Sequence, residues 1–534
     1  MYGRRPTISS VKGMVASANP HASMAGARLL REGGNAFDAI VAVASTLNVA
    51  EPYMSGLAGM GMATCYIAAE KRVRTLDFIA RVPKRFDGSK LKRKDVARGA
   101  MASGAPANLA GWNELLTRYG TRKLPQVLAP AIELARDGIP ISENNAENIG
   151  EAIPDLRNYP QIFEGWSKNY TGGSGRLPYG SVLRQPDLAK TYEAIATEGT
   201  GLLYGGPLGK EMIAHLQALG GVLSMDDLMA VAPEWLDPVA VDYRGLKIHT
   251  LPPPCEGFQF LLTLRILEGF DLKGMERNGR HHLDTVFRAV RVAAGERIWR
   301  NNPSAQALAE IMSDANVERL RRKVMADAPV IGPTEQWVEP PPEEPGVDRD
   351  HTTSFSVGDA DGNLICITMS LGAKFGSGVV IPGRGVCMNN FLYWGELDPR
   401  GRNYMRPDGP LALPMAPSIT TRDGKPVLAL GTPGSYGICQ TQSQAFVQHV
   451  DFDRPIQEAI SAPRARLLDG AVVQLESRID PEVVHGLRAR GHGIQLIDTF
   501  ALTCGGMQGI SVDPASGVLT GGADPRRDGY AVCP

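Results

Sequence analysis

The sequence predicts an α/β protein organised around a large core, and three observations carry that prediction. Apolar residues at three- and four-residue spacing alternate along the chain with runs of period two, the marks of amphipathic helices and half-buried strands. At 534 residues the chain can bury an extensive interior. Its 43% hydrophobic and 21% charged residues match ordinary globular usage, which excludes disorder and a membrane bundle. At about 150 residues per domain the length corresponds to three or four domains, or to one large α/β unit. Glycine is in excess, with 60 residues against a usual share of about 7%, so tight turns or close backbone approaches are expected.

Taken in order, Ala22 to Glu32 reads as a helix stopped by Gly33-Gly34. Asn35 is placed to cap a second helix, Ala36 to Val49, whose Ala and Val content suits close packing. The glycine-dense residues 55 to 62 lead into a strand, Ala63 to Ala69. They lack the Lys-Ser/Thr pair and the strand-loop-helix order of a phosphate loop, so they read as a strand-entry turn. Leu283, Val286, Phe287, Val290, Ala294 and Ile298 define an amphipathic helix, Gly279 to Arg300, ended before Asn301-Asn302-Pro303. Residues 329 to 351 hold six prolines and four acidic residues ahead of Asp348, a loop that interrupts the periodic elements. A hairpin follows, with Thr352 to Val357 alternating, a turn at Asp361-Gly362, and Leu364 to Leu371 placing Ile365, Ile367, Met369 and Leu371 on one face. Glycine-rich strands and turns continue from Phe375 to Asn390. The strand Val427 to Leu430 then passes through Gly431-Thr432-Pro433-Gly434-Ser435 into a helix, Gln440 to His449. Backbone N–H groups at such a strand-to-helix turn point outward and can bind an anion.

Charge excludes several function classes. With 56 basic and 57 acidic side chains the net charge is −1, which gives no electrostatic footprint for nucleic acid or an anionic membrane. No apolar run reaches the roughly 18 residues of a spanning helix and no leader-type apolar segment follows the basic start, so a cytoplasmic location is expected. The seven cysteines include no C-x-x-C pair and read as free thiols. The one close histidine pair, His281 and His282, is adjacent and cannot share a helix face, so no metal site is expected; no organic cofactor is expected either.

Five stretches carry a resemblance to a known family. They are Lys12-Gly13-Met14-Val15-Ala16-Ser17 with Glu32-Gly33-Gly34-Asn35-Ala36; Gly104-Ala105-Pro106 through Leu134-Ala135-Arg136-Asp137-Gly138; Asp242-Tyr243-Arg244-Gly245 leading to Pro252-Pro253-Pro254; Thr352-Thr353 with Asp361-Gly362-Asn363; and Gly376-Ser377-Gly378 with Asn389-Asn390. In this order they resemble the γ-glutamyltranspeptidase family of N-terminal-nucleophile hydrolases. The resemblance implies a four-layer αββα sandwich over residues 1 to 534, made as a precursor that cuts itself between His351 and Thr352. The large subunit would be residues 1 to 351 and the small one 352 to 534, each the other's partner. The freed α-amine of Thr352, with an ordinary pKa of about 7.7 to 8.0, can take the proton of its own hydroxyl, so one residue supplies nucleophile and base. Gly434 and Ser435 match the family's paired-glycine oxyanion loop, with serine in the second place. Ser370 matches the threonine that hydrogen-bonds the nucleophile, or is a plain strand serine. A strict two-residue turn at Asp361-Gly362 pairs Ser370 with Thr353, one place off, so the contact requires a bulge or a longer loop.

The substrate positions depart from the family's pattern. The arginine that holds the γ-glutamyl carboxylate in glutathione-processing members falls on Ile79, and its serine partners fall near Leu413-Pro414. The three amine-binding positions fall on Gly372, Phe391 and Trp394. Arg81 lies two places from Ile79, on the same strand face but about 6.5 Å along, and either substitutes for the missing arginine or is a surface residue. A zwitterion buried against these side chains leaves both charges unpartnered, at several kcal/mol. They suit an apolar or aromatic acyl group instead, with Tyr393 as a polar handle. The expectation is therefore an amide hydrolase acting on a small amide or N-acyl compound through a Thr352 acyl-enzyme. A genuine γ-glutamyl hydrolase or transpeptidase is the first alternative, and an uncleaved binding or scaffold homologue the second.

Overall fold

A computed structural model describes residues 5–332 and 351–534. Of the proline-rich loop expected over 329–351, residues 333–350 lie outside the described residues. Two seven-stranded sheets, each antiparallel throughout, form the centre of the described residues. The first runs Tyr530–Val532, Gly13–Ser17, His351–Asp359, Leu364–Gly372, Met60–Ile67, Arg72–Phe78, Glu234–Leu236. The second runs Ile8–Ser10, Leu519–Ala523, Gln508–Val512, Lys425–Gly431, Ser418–Arg422, Leu246–Thr250, Val239–Tyr243.

Strand alternation builds the layers. Between the sheets lies a core containing Met14, Ala16, Leu364, Cys366, Ile419, Ala429 and Ile510. The other faces of the same strands send Val15, Phe355, Val357, Ile365, Ile367 and Met369 into a helical layer that includes Ala36–Ala50, Asn108–Tyr119 and Leu124–Asp137. On the outer side of the second sheet, Ile248, Leu428 and Leu430 pack against helices Phe258–Leu267, Arg280–Trp299 and Ile438–Val450. The architecture is the αββα sandwich expected.

Local chemistry explains the elements. Asn35 caps Ala36–Ala50 as expected: its side chain accepts from the N–H of Phe37 and of Asp38, and the Asp38 carboxylate returns a bond to the Asn35 N–H at 2.8 Å. That reciprocal pairing satisfies N–H groups that a helix start otherwise leaves unbonded. The predicted helix at Gly279 to Arg300 is observed as Arg280–Trp299. The strand expected at Ala63 starts three residues earlier because Met60 and Gly61 already pair with Ser370 and Met369.

Candidate functional site

The hairpin that carries Thr352 turns through a longer loop than the two-residue turn expected. The Asp359 N–H donates to the Asn363 carbonyl at 3.1 Å and Gly362 takes the left-handed conformation at φ 91°, so Ala360 to Gly362 form the loop. The Asp359 carboxylate fastens it, accepting from the N–H groups of Asp361 and Asn363 and from Ala36 at the start of its helix. The extra residue shifts the register by one. Thr353 now opposes Met369, and Ser370 comes opposite Thr352. A bulge follows, since His351 opposes Gly372 and both Ser370 and Leu371 face the single residue Thr352.

This arrangement sets three groups around one peptide bond. The Thr352 hydroxyl donates to Ser370 Oγ at 3.4 Å, a long contact. The Ser370 hydroxyl donates to the His351 carbonyl at 2.8 Å, and Ser370 Oγ accepts the Gly372 N–H at 2.8 Å. Ser370 therefore touches both the hydroxyl of Thr352 and the carbonyl of the bond that precedes it. Thr352 and Ser370 are each 3% exposed.

Across the sheet interface, Gly431 lies so close to this strand that an added Cβ would come 2.3 Å from Ser354 Oγ. The Gly434-Ser435 turn thus begins beside the start of the Thr352 strand. Gly434 has φ 126°, and Ser435 is a non-glycine residue at φ 52°, a left-handed conformation that costs an L-residue about 1–2 kcal/mol. Among the described residues neither N–H of the pair is donated to a protein acceptor. Two N–H groups without a protein acceptor, in a turn that holds an L-residue in the left-handed conformation, are suited to a developing oxyanion. Thr432 of the turn is braced by the Gly506 N–H, and Gly506 in turn abuts the Arg527 side chain.

Sequence reasoning missed the charged groups behind the nucleophile strand. Arg527 donates to the Thr352 carbonyl at 2.8 Å, and the Thr353 hydroxyl donates to Glu51 Oε2 at 3.2 Å. Burial pushes the Glu51 carboxyl up to about 7, against the opposing pull of Arg527. The segment that supplies Arg527 is anchored by a buried network in which Arg526 pairs with Glu476 and Asp524, and Arg464 with Asp524. Burial would lower the Arg526 guanidinium, but Asp524 and Glu476 outweigh it and hold its pKa above the ordinary value. Glu51, a lone acid ending an apolar helix, was the only sequence signal for this network.

Of the substrate positions, the structure gathers Phe391, Trp394 and Leu413 into one apolar cluster with Met60, Met62 and Tyr436, and Ile79 packs against it half-buried. The cluster reaches the site at two points. Met60 is the cross-strand partner of Ser370, and Tyr436 directly follows Ser435 and stands 5.8 Å from the Trp394 ring. Gly372 leaves no space for a binding side chain: at φ 103° its added Cβ would fall 2.2 Å from Asn390 Oδ1. Arg81 and Tyr393 lie apart from this cluster. Arg81 is exposed and held by Asp408, through its carbonyl at 2.7 Å and its carboxylate at 3.4 Å, because its strand has left the sheet by then and turns to the surface. Tyr393 lies outside the apolar cluster, packed with Ala97 and Ala373 under the Arg93 guanidinium at 4.1 Å. A cavity of about 710 Å³ beside Val241, Pro253 and Met312 is lined by none of these residues.

Comparison with known proteins identifies the family. The gamma-glutamyltranspeptidase family profile matches residues 22–533. The Acylase ACY 1 proenzyme of Pseudomonas sp. (strain SE83) is 33% identical over 99% of this chain and 94% of its own. The glutathione hydrolase proenzyme of Bacillus subtilis (strain 168) is 30% identical over 97% of this chain and 91% of its own. The crystal structure of cephalosporin acylase from Bacillus halodurans superimposes with a TM-score of 0.90 at 28% identity, covering 100% of this chain and 98% of that one. The chain belongs to the gamma-glutamyltranspeptidase family and is an amide-bond hydrolase of that family.

Proposed function

We propose that this precursor cuts itself between His351 and Thr352, giving subunits 1–351 and 352–534, and that the freed Thr352 hydrolyses a small amide with an apolar or aromatic acyl group. The observation that carries the reading is the Ser370 hydroxyl, bonded at once to the Thr352 hydroxyl and the His351 carbonyl. In self-cleavage the Thr352 oxygen attacks the His351 carbonyl carbon. The C–N bond breaks, the nitrogen takes a proton to become an amine, and water hydrolyses the resulting ester to a His351 carboxylate and a free hydroxyl. In turnover the same oxygen attacks the substrate amide while the new amine takes its proton and passes it to the leaving amine. The Gly434 and Ser435 N–H groups receive the oxyanion, and water releases the acid.

The acyl preference is supported by the cluster of Ile79, Phe391, Trp394 and Leu413 beside Ser370 and Ser435, where a buried zwitterion would lack partners. A γ-glutamyl donor is the second reading, favoured by the likeness to glutathione hydrolase proenzymes. We place the enzyme in the cytoplasm, a reading supported by six buried free thiols. A denaturing gel and intact mass test cleavage: two fragments divided at Thr352 are expected, and a single full-length chain in Thr352→Ala. A wild type that stays whole after long incubation at neutral pH refutes the reading. Rates on an aryl-acyl anilide beside a γ-glutamyl anilide test specificity, and faster turnover of the latter overturns the acyl preference.

A further inference from the structure

We infer that Glu51 and Arg527 form a clamp that holds Thr352 in place once cleavage has made it a chain terminus. The inference rests on Thr352 being the nucleophile. Before cleavage Thr352 is held from both sides by the chain. Afterwards the His351 side is gone, and the residue lies at a bulge, where the regular ladder is broken. A free strand end frays, yet a nucleophile must stay within about 0.5 Å of its productive place. Besides the Ser370 contact and the ladder that resumes at Thr353, two charged side chains hold this end. Arg527 grips the Thr352 carbonyl itself, and Glu51 grips the hydroxyl of the next residue from the helix-layer face of the sheet.

The clamp is built from both future subunits. Glu51 closes the helix Ala36–Ala50, and Arg527 is carried by the C-terminal segment that the Arg526 network anchors. Glu51 is completely buried and Arg527 is 5% exposed, so neither is held by solvent. Arg527, Asp528 and Tyr53 are the charged and titratable groups that act on Glu51; Asp528 accepts from Ser142, and the Tyr53 hydroxyl donates to Asn145. Glu51 Oε1 has no hydrogen-bond partner among the described residues. Glu51 and Arg527 are positioning residues: Arg527 acts on the reaction through the Thr352 carbonyl and Glu51 through the Thr353 side chain.

The test uses full-length Glu51→Gln, Arg527→Met, Arg527→Lys and Thr353→Val, with cleavage read on gels and turnover expressed per mole of cleaved chain. Cleavage to wild-type extent is expected in all four. With Glu51→Gln and Arg527→Met, kcat should fall at least ten-fold with KM within two-fold, and Arg527→Lys should recover part of the loss. The wild-type kcat should decline on acidification in two steps, one as the Thr352 amine is protonated and one as Glu51 gains its proton near pH 7, and only the second should be missing in Glu51→Gln. Thr353→Val, which keeps both charges, should lose a smaller factor and carries the test where a charge variant is insoluble. Wild-type kcat and pH profile in the cleaved variants overturn the clamp. So does a soluble variant that stays uncut, because the contacts are then required before the terminus exists. Failure of Thr352→Ala to block cleavage overturns the nucleophile assignment instead, so the two failures are distinguishable.

Discussion

Gly372→Ala should be far more damaging than its one added methyl suggests. The residue has φ 103°, where an L-residue pays about 1–2 kcal/mol for its backbone alone. The new methyl carbon would meet Asn390 Oδ1 at 2.2 Å. That oxygen is not free to move, since it accepts the Ala373 N–H at 2.8 Å while the same amide donates to the Ala97 carbonyl at 2.9 Å, with Asn390 wholly buried. Breaking either bond leaves a buried polar group unpaired, at about 1–3 kcal/mol. The total loss is about 2–5 kcal/mol. Gly383→Ala is the control: it has φ 69° but nothing within 4 Å of its added Cβ, so only the backbone cost applies. Urea unfolding followed by circular dichroism, in the uncleavable Thr352→Ala background to keep one chain, compares them. Equal destabilisation of the two variants refutes the reasoning, because it shows that Asn390 yields without cost. The same contact predicts that Gly372→Asn destabilises the protein and creates no γ-glutamyl activity.

Ser370→Ala removes the donor to the His351 carbonyl, and self-cleavage followed by gel densitometry should slow about 100-fold; an unchanged rate would remove Ser370 from the chemistry. Ser435→Gly relieves a left-handed L-residue but adds glycine's entropy cost, so stability should change by less than about 1 kcal/mol. Because the donor is the backbone N–H, its kcat should stay within about three-fold of wild type, and a hundred-fold loss would show that the hydroxyl is used. Glu51 makes stability depend on pH in a direction fixed by its raised pKa. The folded state binds this proton more tightly than the unfolded state, so stability falls as pH rises from about 4.5 to about 7 and is level above that. The shift corresponds to about 3 kcal/mol, which urea titrations at the two ends should detect in the uncleaved chain and find missing on adding Glu51→Gln.

The elements were legible wherever local chemistry decides them. Asn35 announced its helix because capping depends on neighbours one turn away, and the three-four spacing after Leu283 placed Arg280–Trp299 to within a residue at each end. The hairpin was readable as two strands but not in register, since a loop of two or of three residues suits the same Asp-Gly pair; the Asp359 carboxylate, bonded to Ala36 more than 300 positions away, selects the longer one. That selection brings Ser370 opposite Thr352. Likeness to a family marked Ile79, Phe391, Trp394 and Leu413 as changed positions, and three-dimensional packing gathered them with Met60 and Tyr436 into one cluster while leaving Arg81 at the surface.

By itself, then, the sequence determined the layered α/β class, a threonine near the start of a strand after a proline-rich loop, and a glycine turn between a strand and a helix. Only the tertiary structure decided the register that assembles Thr352, Ser370 and the His351 carbonyl, and the buried Glu51 and Arg527 behind them. The physical reason is range: caps, turns and strand periodicity are set by residues a few positions apart, whereas the partners of Thr352 and Thr353 arrive from positions 51, 370 and 527, which only the packing of two sheets and a helical layer brings within hydrogen-bond reach.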